Sequence, residues 1–338
     1  MRRWIPGIAI SIIAILAMTT GWVQYWELKS VDFRVGFLPG HPGPEVVIVA
    51  IDDRTIQDAG RWPLPRTYYA RAIEKLKAAG AKTIAIDIIF ATPDPAGDTE
   101  LAAAIKAAGN VVLGQAPGFE RITPAIDVVA GPNAGFLNNY PDADFEIRNV
   151  PMAIEDSGST YPSFDVQALR LRPENRPRGW IGVNFRGGQN SFERISMADV
   201  VAGKSTFVFR DRIALIGVTA PAGGDMKLSP VGYIPGVEIH AHAIDTLIHG
   251  LAIREGFREV SSSWLLTAIM GIGGYWWLNR QRPTMILPWT GALLLLLIVG
   301  ATLAYARLRM QLAMVSPAIA LLASSLWTLQ SRLHLRRL

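Results

Sequence analysis

The sequence predicts an α/β domain, a mainly parallel sheet with flanking helices, combined with four transmembrane α-helices. Three observations lead there. Buried-strand runs alternate with amphipathic helical stretches between Glu45 and Gly217, four apolar stretches approach the length of a bilayer crossing, and all 28 acidic residues lie between Glu27 and Glu259. Half of the 338 residues are hydrophobic, more than an ordinary soluble domain carries.

The charge distribution separates the two parts. Nine of the 33 basic residues lie outside the acidic span: Arg2, Arg3, Arg280, Arg282, Arg307, Arg309, Arg332, Arg336 and Arg337. That leaves 24 basic against 28 acidic residues in the middle, a net of −4. The formal +5 of the chain therefore belongs to the membrane flanks, and no nucleic-acid surface is expected. Cysteine is absent, which removes disulfides, thiolate metal sites and a Cys nucleophile.

A helix needs about 20 residues to cross about 30 Å of hydrocarbon. The stretches Trp4–Tyr25, Ser262–Leu278, Met285–Ala306 and Leu312–Leu329 approach that length, and Trp22, Tyr25, Trp26, Trp276 and Trp277 stand at their ends, where amphipathic rings favour the interface. The first stretch reads as an uncleaved anchor rather than a signal peptide, because it is long, ends in an aromatic cluster and is followed by no Ala-x-Ala site. The Arg2–Arg3 pair ahead of it places both termini in the cytoplasm and the folded domain outside. The expected division is residues 1–26 for a cytoplasmic start and first span, 27–258 for one extracytoplasmic domain, 259–330 for three spans and 331–338 for a basic cytoplasmic tail.

Within the domain, Val46–Ile51 is a β-branched run bounded by Pro44 and Asp52, the pattern of a strand covered on both faces. Arg66 to Ala79 is amphipathic, with Tyr69, Ile73 and Leu76 on one face and Gly80 as its stop. Thr83–Ile89 is the next strand, Asp98 is the expected N-cap of a helix over Thr99–Ala108, and Val111–Leu113 is the third strand. This alternation implies parallel strands joined by crossovers. Gly182–Phe185 and Ile213–Ile216 read as later strands of the same sheet, Gln115–Arg178 as loop-rich with short elements, and Pro235–Leu251 as a helix.

In open parallel sheets, ligands bind at the carboxyl ends of the strands. Asp52 and Asp53 end the first strand, Asp87 lies near the end of the second, and Asp225 follows the strand that ends at Gly217. Converging carboxylates there suit a cationic ligand or a divalent cation; the same residues also suit helix caps and ion pairs. Arg66, which closes the segment Arg61–Arg66 at a helix start, suits a carboxylate or phosphate, or simply fixes where the helix begins. These five are the candidate ligand-binding residues. On the last helix, Glu238, His242, Asp245 and His249 share one side with ligand-like spacing, a pattern a solvated polar face also gives, while His240 reads as a hydrogen-bonded core residue. Ala202–Ser205 resembles the end of a phosphate-binding loop, but Ala198 stands where its first glycine belongs, and there is no Gly-x-Ser-x-Gly elbow. No catalytic set, cofactor or metal is expected.

Five blocks carry a resemblance: Val46–Asp53 (VVIVAIDD), Gly60–Arg66 (GRWPLPR), Gly80–Phe90 (GAKTIAIDIIF), Ile213–Ala220 (IALIGVTA) and Pro235–Ala241 (PGVEIHA). Together with one anchor before and three helices after, they resemble the type-two CHASE sensory domain over nearly the whole chain. The resemblance implies an extracytoplasmic input module of bacterial transmembrane receptors, multi-pass in the inner (cell) membrane. Such modules work on cytoplasmic outputs such as kinases or cyclases, and it carries over no ligand or catalytic residue. The chain ends at Leu338, shortly past the last span, so the effector is expected on a partner or on sequence beyond it. The expected partners are the lipid bilayer, an extracytoplasmic stimulus of unknown identity, a cytoplasmic kinase or cyclase output and a second copy in a homodimer. The alternatives are a structural or assembly factor and a metal-dependent tethered enzyme using Asp52, Asp53, Asp87 and Asp225.

Overall fold

Val46–Ile51 forms a strand with every residue buried, as the β-branched run requires. The computed structural model describes residues 4–38, 40–117, 126–127, 133–156, 158–171, 175–254 and 257–335; Arg2, Arg3, Arg336 and Arg337 of the flank pattern lie outside these. In chain order the first elements are α1 (Ile5–Ala17), α2 (Gly21–Val35), β1 (Val46–Ile51), α3 (Asp53–Ala59), α4 (Arg66–Ala78), β2 (Thr83–Ile86), α5 (Pro95–Ala108) and β3 (Val111–Gln115). Next come β4 (Ala134–Phe136), β5 (Asn149–Pro151), β6 (Ala153–Asp156), β7 (Ser159–Pro162), α6 (Phe164–Ala168), β8 (Trp180–Gly182), β9 (Arg194–Ser196), α7 (Met197–Val201) and β10 (Ile213–Val218). The last are β11 (Met226–Ser229), β12 (Gly232–Pro235), α8 (Gly236–Ile248), α9 (Phe257–Ala268), α10 (Gly274–Leu278), α11 (Pro283–Leu303) and α12 (Val315–Leu335). The chain forms two units, Gly40–Ala252 on one hand and Met1–Pro39 with Ile253–Leu338 on the other. Their boundaries stand inside the sequence-based limits of 27 and 258.

The first unit is mixed α/β. Its six-stranded sheet has the order β4-β3-β2-β10-β1-β9, and every neighbouring pair is parallel. Because the strands alternate their side chains, one face is covered by α4, α5 and α7, through Tyr69, Ile73, Leu101, Ile105 and Val200, and the other by α6 and α8, through Phe164, Val237, Ala241 and Ile244. Burial of both faces explains why the central strands are apolar without a break.

Several expectations change here. Trp180–Gly182 pairs antiparallel with β5 in a separate two-stranded ribbon, so the predicted strand Gly182–Phe185 does not join the main sheet. The edge strands β4 and β9 are three residues each, too short for a period to show in sequence. Asp98 does not cap α5: Asp94 does, accepting from Gly97 N–H, while Asp98 lies one turn in and pairs with Arg66. Pro95 at the first helical turn starts the helix earlier than Asp98 suggested.

The second unit is helical. The expected continuous span Trp4–Tyr25 is broken: α1 stops at Ala17, α2 begins at Gly21, and the two meet at 81°. Thr19 and Thr20 donate their hydroxyls to the Leu16 and Ala17 carbonyls, and Thr20 is extended, which ends one helix before the glycine opens the next. Among the described residues one helix, Pro283–Leu308, is long and apolar enough by itself to cross a bilayer, and α1 with α2 passes the same measure only as a pair. Phe257–Leu278, running through a π turn at Ile269–Gly273, and α12 have the length but are less apolar. The burial pattern of this unit is not that of a soluble bundle: Ser11, Thr267, Thr290, Ser316, Ser324, Ser325 and Thr328 are buried beside a small cluster of Leu278, Ile286, Leu297 and Leu321, whereas Leu265, Leu287, Leu295, Leu296 and Leu326 are exposed. Hydroxyls join the helices, Thr290 Oγ1 donating to Ser325 Oγ at 2.9 Å and Ser324 Oγ to the Gly271 carbonyl at 3.0 Å.

Candidate functional site

The alternation of β2 decides where its last carboxylate goes. Ile84 and Ile86 face the α4–α5 layer, Ala85 faces the α6–α8 layer, and Asp87 falls on the Ala85 side. Its N–H still donates to the Ile216 carbonyl at 2.8 Å, so the backbone remains on the ladder and the side chain is held at the carboxyl edge. Gly217 of β10 makes room beside it. A Cβ at 217 would stand 2.5 Å from Val237 Cβ and 3.3 Å from Asp87 Oδ2, so α8 approaches the sheet this closely only over a glycine.

Asp87 is 7% exposed and faces His240 of α8, with Oδ1 at 4.0 Å from Nε2. His240 Nδ1 lies 2.8 Å from Asp165 Oδ1, and Asp165, in the first turn of α6, is 3% exposed. Ser163 caps that short helix by accepting from the Val166 N–H, which aims Asp165 at α8. Phe164 sets its ring edge-on to the imidazole, centroids 5.2 Å apart. Asp225 completes the group from outside: its carboxylate lies against Gly236 at the start of α8, where a Cβ would come within 2.9 Å of Asp225 Cγ, and Lys227 Nζ is 3.0 Å from Oδ1.

The electrostatics follow from burial and these neighbours. Burial pushes the Asp87 carboxyl up, the His240 charge pulls it back, and the nearby Asp225 and Asp165 carboxylates push it up again, to about 6. For His240, burial works against the charged form, but the Asp165 carboxylate and its hydrogen bond, with Asp87 and Asp225, outweigh it and hold the imidazole at about 9. A charged imidazolium is thus clamped between two buried carboxylates. Asp87 Oδ2 is buried and accepts no hydrogen bond from any described residue. Such an atom is costly to keep ionised, and sites of this kind are where a ligand or a proton acts.

Of the five residues singled out in the sequence, Asp87 and Asp225 belong to this cluster. Asp52 caps α3, accepting from Thr55 N–H at 2.8 Å and from the Thr55 and Ser196 hydroxyls. Asp53 is exposed in the first turn of α3. Arg66 is nearly buried, its Nε on Asp98 at 3.0 Å, its Nη2 on the Thr92 carbonyl at 2.8 Å, and its guanidinium over the Phe90 ring. It lines a cavity of about 630 Å³ with Arg61, Trp62, Tyr69 and Ile89.

The polar side of α8 is neither solvated nor a four-residue ligand set. Glu238, His242 and Asp245 are buried: Glu238 pairs with Arg194, Asp245 with Arg186 at 2.6 Å, and His242 lies between Phe185 and Phe192, where burial pushes it down to about 4. His249 is exposed but meets Asp245, Nδ1 at 3.2 Å from Oδ1, and lies near Glu45, its Nε2 at 3.7 Å from Oε2, so that Asp245 and His249 converge with Glu45 rather than with Glu238 or His242. His240 is hydrogen-bonded, as its place beside the apolar stripe suggested, but its partner Asp165 went unnoticed. The signal was present in Ser163-Phe-Asp165-Val, a capping serine with an acid in the first turn, though a five-residue helix is too short to give a period.

The family model of the CHASE2 domain matches residues 8–301. That is most of the chain, and the chain belongs to the CHASE2 family, a family of extracellular sensory domains. Comparison with curated proteins and with solved structures finds no match.

Proposed function

We propose that this chain is the extracytoplasmic input part of a multi-pass bacterial membrane receptor, and that its stimulus acts at the cluster formed by Asp87, His240, Asp165 and Asp225. The observation that carries the membrane reading is that the helical unit exposes many leucines while burying a row of hydroxyls. Lipid tails are as apolar as leucine, so helices in a bilayer associate through small residues and hydrogen-bonding hydroxyls. This supports four crossings, the first bent, even where a helix is less apolar than α11. The broken first span and the modestly apolar α9–α10 and α12 are accommodated by one another rather than by lipid alone.

In this reading the family's sensory role and the orphaned Asp87 oxygen support an input site at the carboxyl edge of the sheet. Movement there passes along the chain from α8 into α9 and on to a cytoplasmic kinase or cyclase, within a homodimer. No residue is assigned a catalytic role.

The test uses the absence of cysteine in the chain. Single cysteines at Tyr233 in the sheet unit and at Asn279 between α10 and α11 are labelled with a membrane-impermeant maleimide on intact spheroplasts. Labelling at 233 alone is expected; labelling at 279 alone would reverse the orientation and end the receptor reading.

A further inference from the structure

We propose that the Asp87 carboxyl is a proton-binding site that lets α8 pack tightly on the sheet when protonated and loosens it when ionised, so that the stimulus read by this domain is acidity. The inference rests on the proposed input site and names its ligand.

The geometry is that of a clamp with one strained end. His240 is held from two sides: Asp165 of α6 is hydrogen-bonded to Nδ1 at 2.8 Å, while Asp87 at the end of β2 reaches Nε2 only as a charge at 4.0 Å. The α6–α8 link is a charge-assisted hydrogen bond; the Asp87–His240 approach is too long to be one and leaves the Asp87 charge poorly compensated. The other charged groups that act on Asp87 are Asp225, from the loop between β10 and β11, and Lys227 of β11. Three carboxylates therefore converge on one imidazolium and one partly exposed ammonium. Asp87 is the most strained of them, because Oδ2 has neither water access nor a donor among the described residues.

A proton resolves this arrangement at the least cost of any ligand. It binds Asp87, removes the charge that burial disfavours, and relieves the repulsion from Asp165 and Asp225. His240 keeps its own proton because Asp165 still holds it. The attraction to His240 is lost as well, but burial and the two carboxylates outweigh it, so the proton is held more tightly while α8 covers Asp87 than when α8 lifts and water reaches it. The Gly217–Val237 approach depends on α8 lying tight against the sheet and is favoured by the same proton. In sequence α8 is the last helix of the sheet unit before α9.

The full chain in lipid nanodiscs tests this by infrared difference spectroscopy between about pH 7.5 and about pH 5. A protonated-carboxyl C=O band is expected to grow with a midpoint well above that of an ordinary aspartate and to be missing in Asp87→Asn. Asp225→Asn, which takes away a repelling charge at a partly exposed position, is expected to move the midpoint to lower pH. Hydrogen exchange over Gly236–Ala243, corrected for intrinsic rates, is expected to fall on acidification in the wild type and to be pH-independent in Asp87→Asn. A band unaffected by Asp87→Asn, a midpoint unmoved by Asp225→Asn, or flat α8 exchange beside an intact band would each overturn the proposal. Sidedness is read separately by the maleimide experiment: an inward-facing domain with a normal Asp87 titration would remove the receptor reading and leave the proton site standing.

Discussion

Glu27 caps α12 from a helix almost three hundred residues away in sequence: its Oε1 accepts the backbone N–H of Val315 and of Ser316, each at 2.9 Å, and its Oε2 that of Met314 at 2.9 Å. Two turns further along α2, Arg34 donates to the Leu312 carbonyl at 2.7 Å. One side chain thus neutralises the positive end of a helix and another an orphan carbonyl beside it, both from a single face of α2.

Replacing Glu27 by alanine leaves three N–H groups at a helix start without an acceptor. The expected cost is about 1–3 kcal/mol, read as a lower thermal midpoint of the full chain in detergent, and Glu27→Gln recovers part of it through its one remaining carbonyl oxygen. Equal midpoints for wild type and Glu27→Ala would show that the cap contributes nothing.

The His240 environment makes stability depend on alkaline pH. Its folded pKa of about 9 lies above the 6.5 of a free imidazole, so its contribution is complete below about 6.5 and is lost as pH rises through 9. The carboxyl of Asp87, also raised, acts with the same sign at lower pH, its share being lost as pH rises through about 6. The thermal midpoint is therefore expected to fall between about pH 6.5 and about pH 9, and Asp165→Asn is expected to flatten that fall. A wild-type midpoint that rises over this range would contradict the assignment of the charged imidazole.

Gly217→Ala drives a methyl into Val237 and is expected to cost about 1–3 kcal/mol. Adding Val237→Ala should return part of the loss, because the clash is with that side chain. If the double variant is only as stable as the sum of the two single losses predicts, the close approach of α8 is not what the glycine serves.

Arg66→Lys separates two roles for one residue. A lysine cannot bond Asp98 and the Thr92 carbonyl together while stacking on Phe90, so a structural Arg66 predicts a loss of about 1–3 kcal/mol in chemical unfolding. An unchanged stability with a weakened response of a fused output would instead mark Arg66 as a ligand contact.

The parts legible in sequence are those governed by a local period. The run Val46–Ile51 is strand β1 to the residue, Arg66–Ala78 is the predicted amphipathic helix, and Ile213 begins a strand as expected, because burial of both faces or of one stripe imposes its pattern on adjacent residues. The carboxyl edge was legible too, and with it the positions of Asp87 and Asp225. Asp52 stands at the same edge, but its nearest donors are the hydroxyl and N–H of Thr55 three residues on, so a local cap takes up most of its accepting capacity. Asp165 escaped because its helix is only five residues long and lies in a loop-rich stretch.

By itself the amino-acid order determined that the chain is half apolar, that its acids lie between Glu27 and Glu259, most of them in a domain of alternating strands and helices, and that a carboxylate stands near the end of β2. Only the tertiary structure decided that β10 inserts between β1 and β2, that β4 and β9 close the sheet, that the first apolar stretch bends at Thr20, and that Asp165 meets His240 across 75 positions. The division has a physical cause. Periodicity records what each residue packs against on its own element, whereas strand order and the meeting of Asp165, His240 and Asp87 depend on contacts between segments that carry no mark of one another in their local pattern.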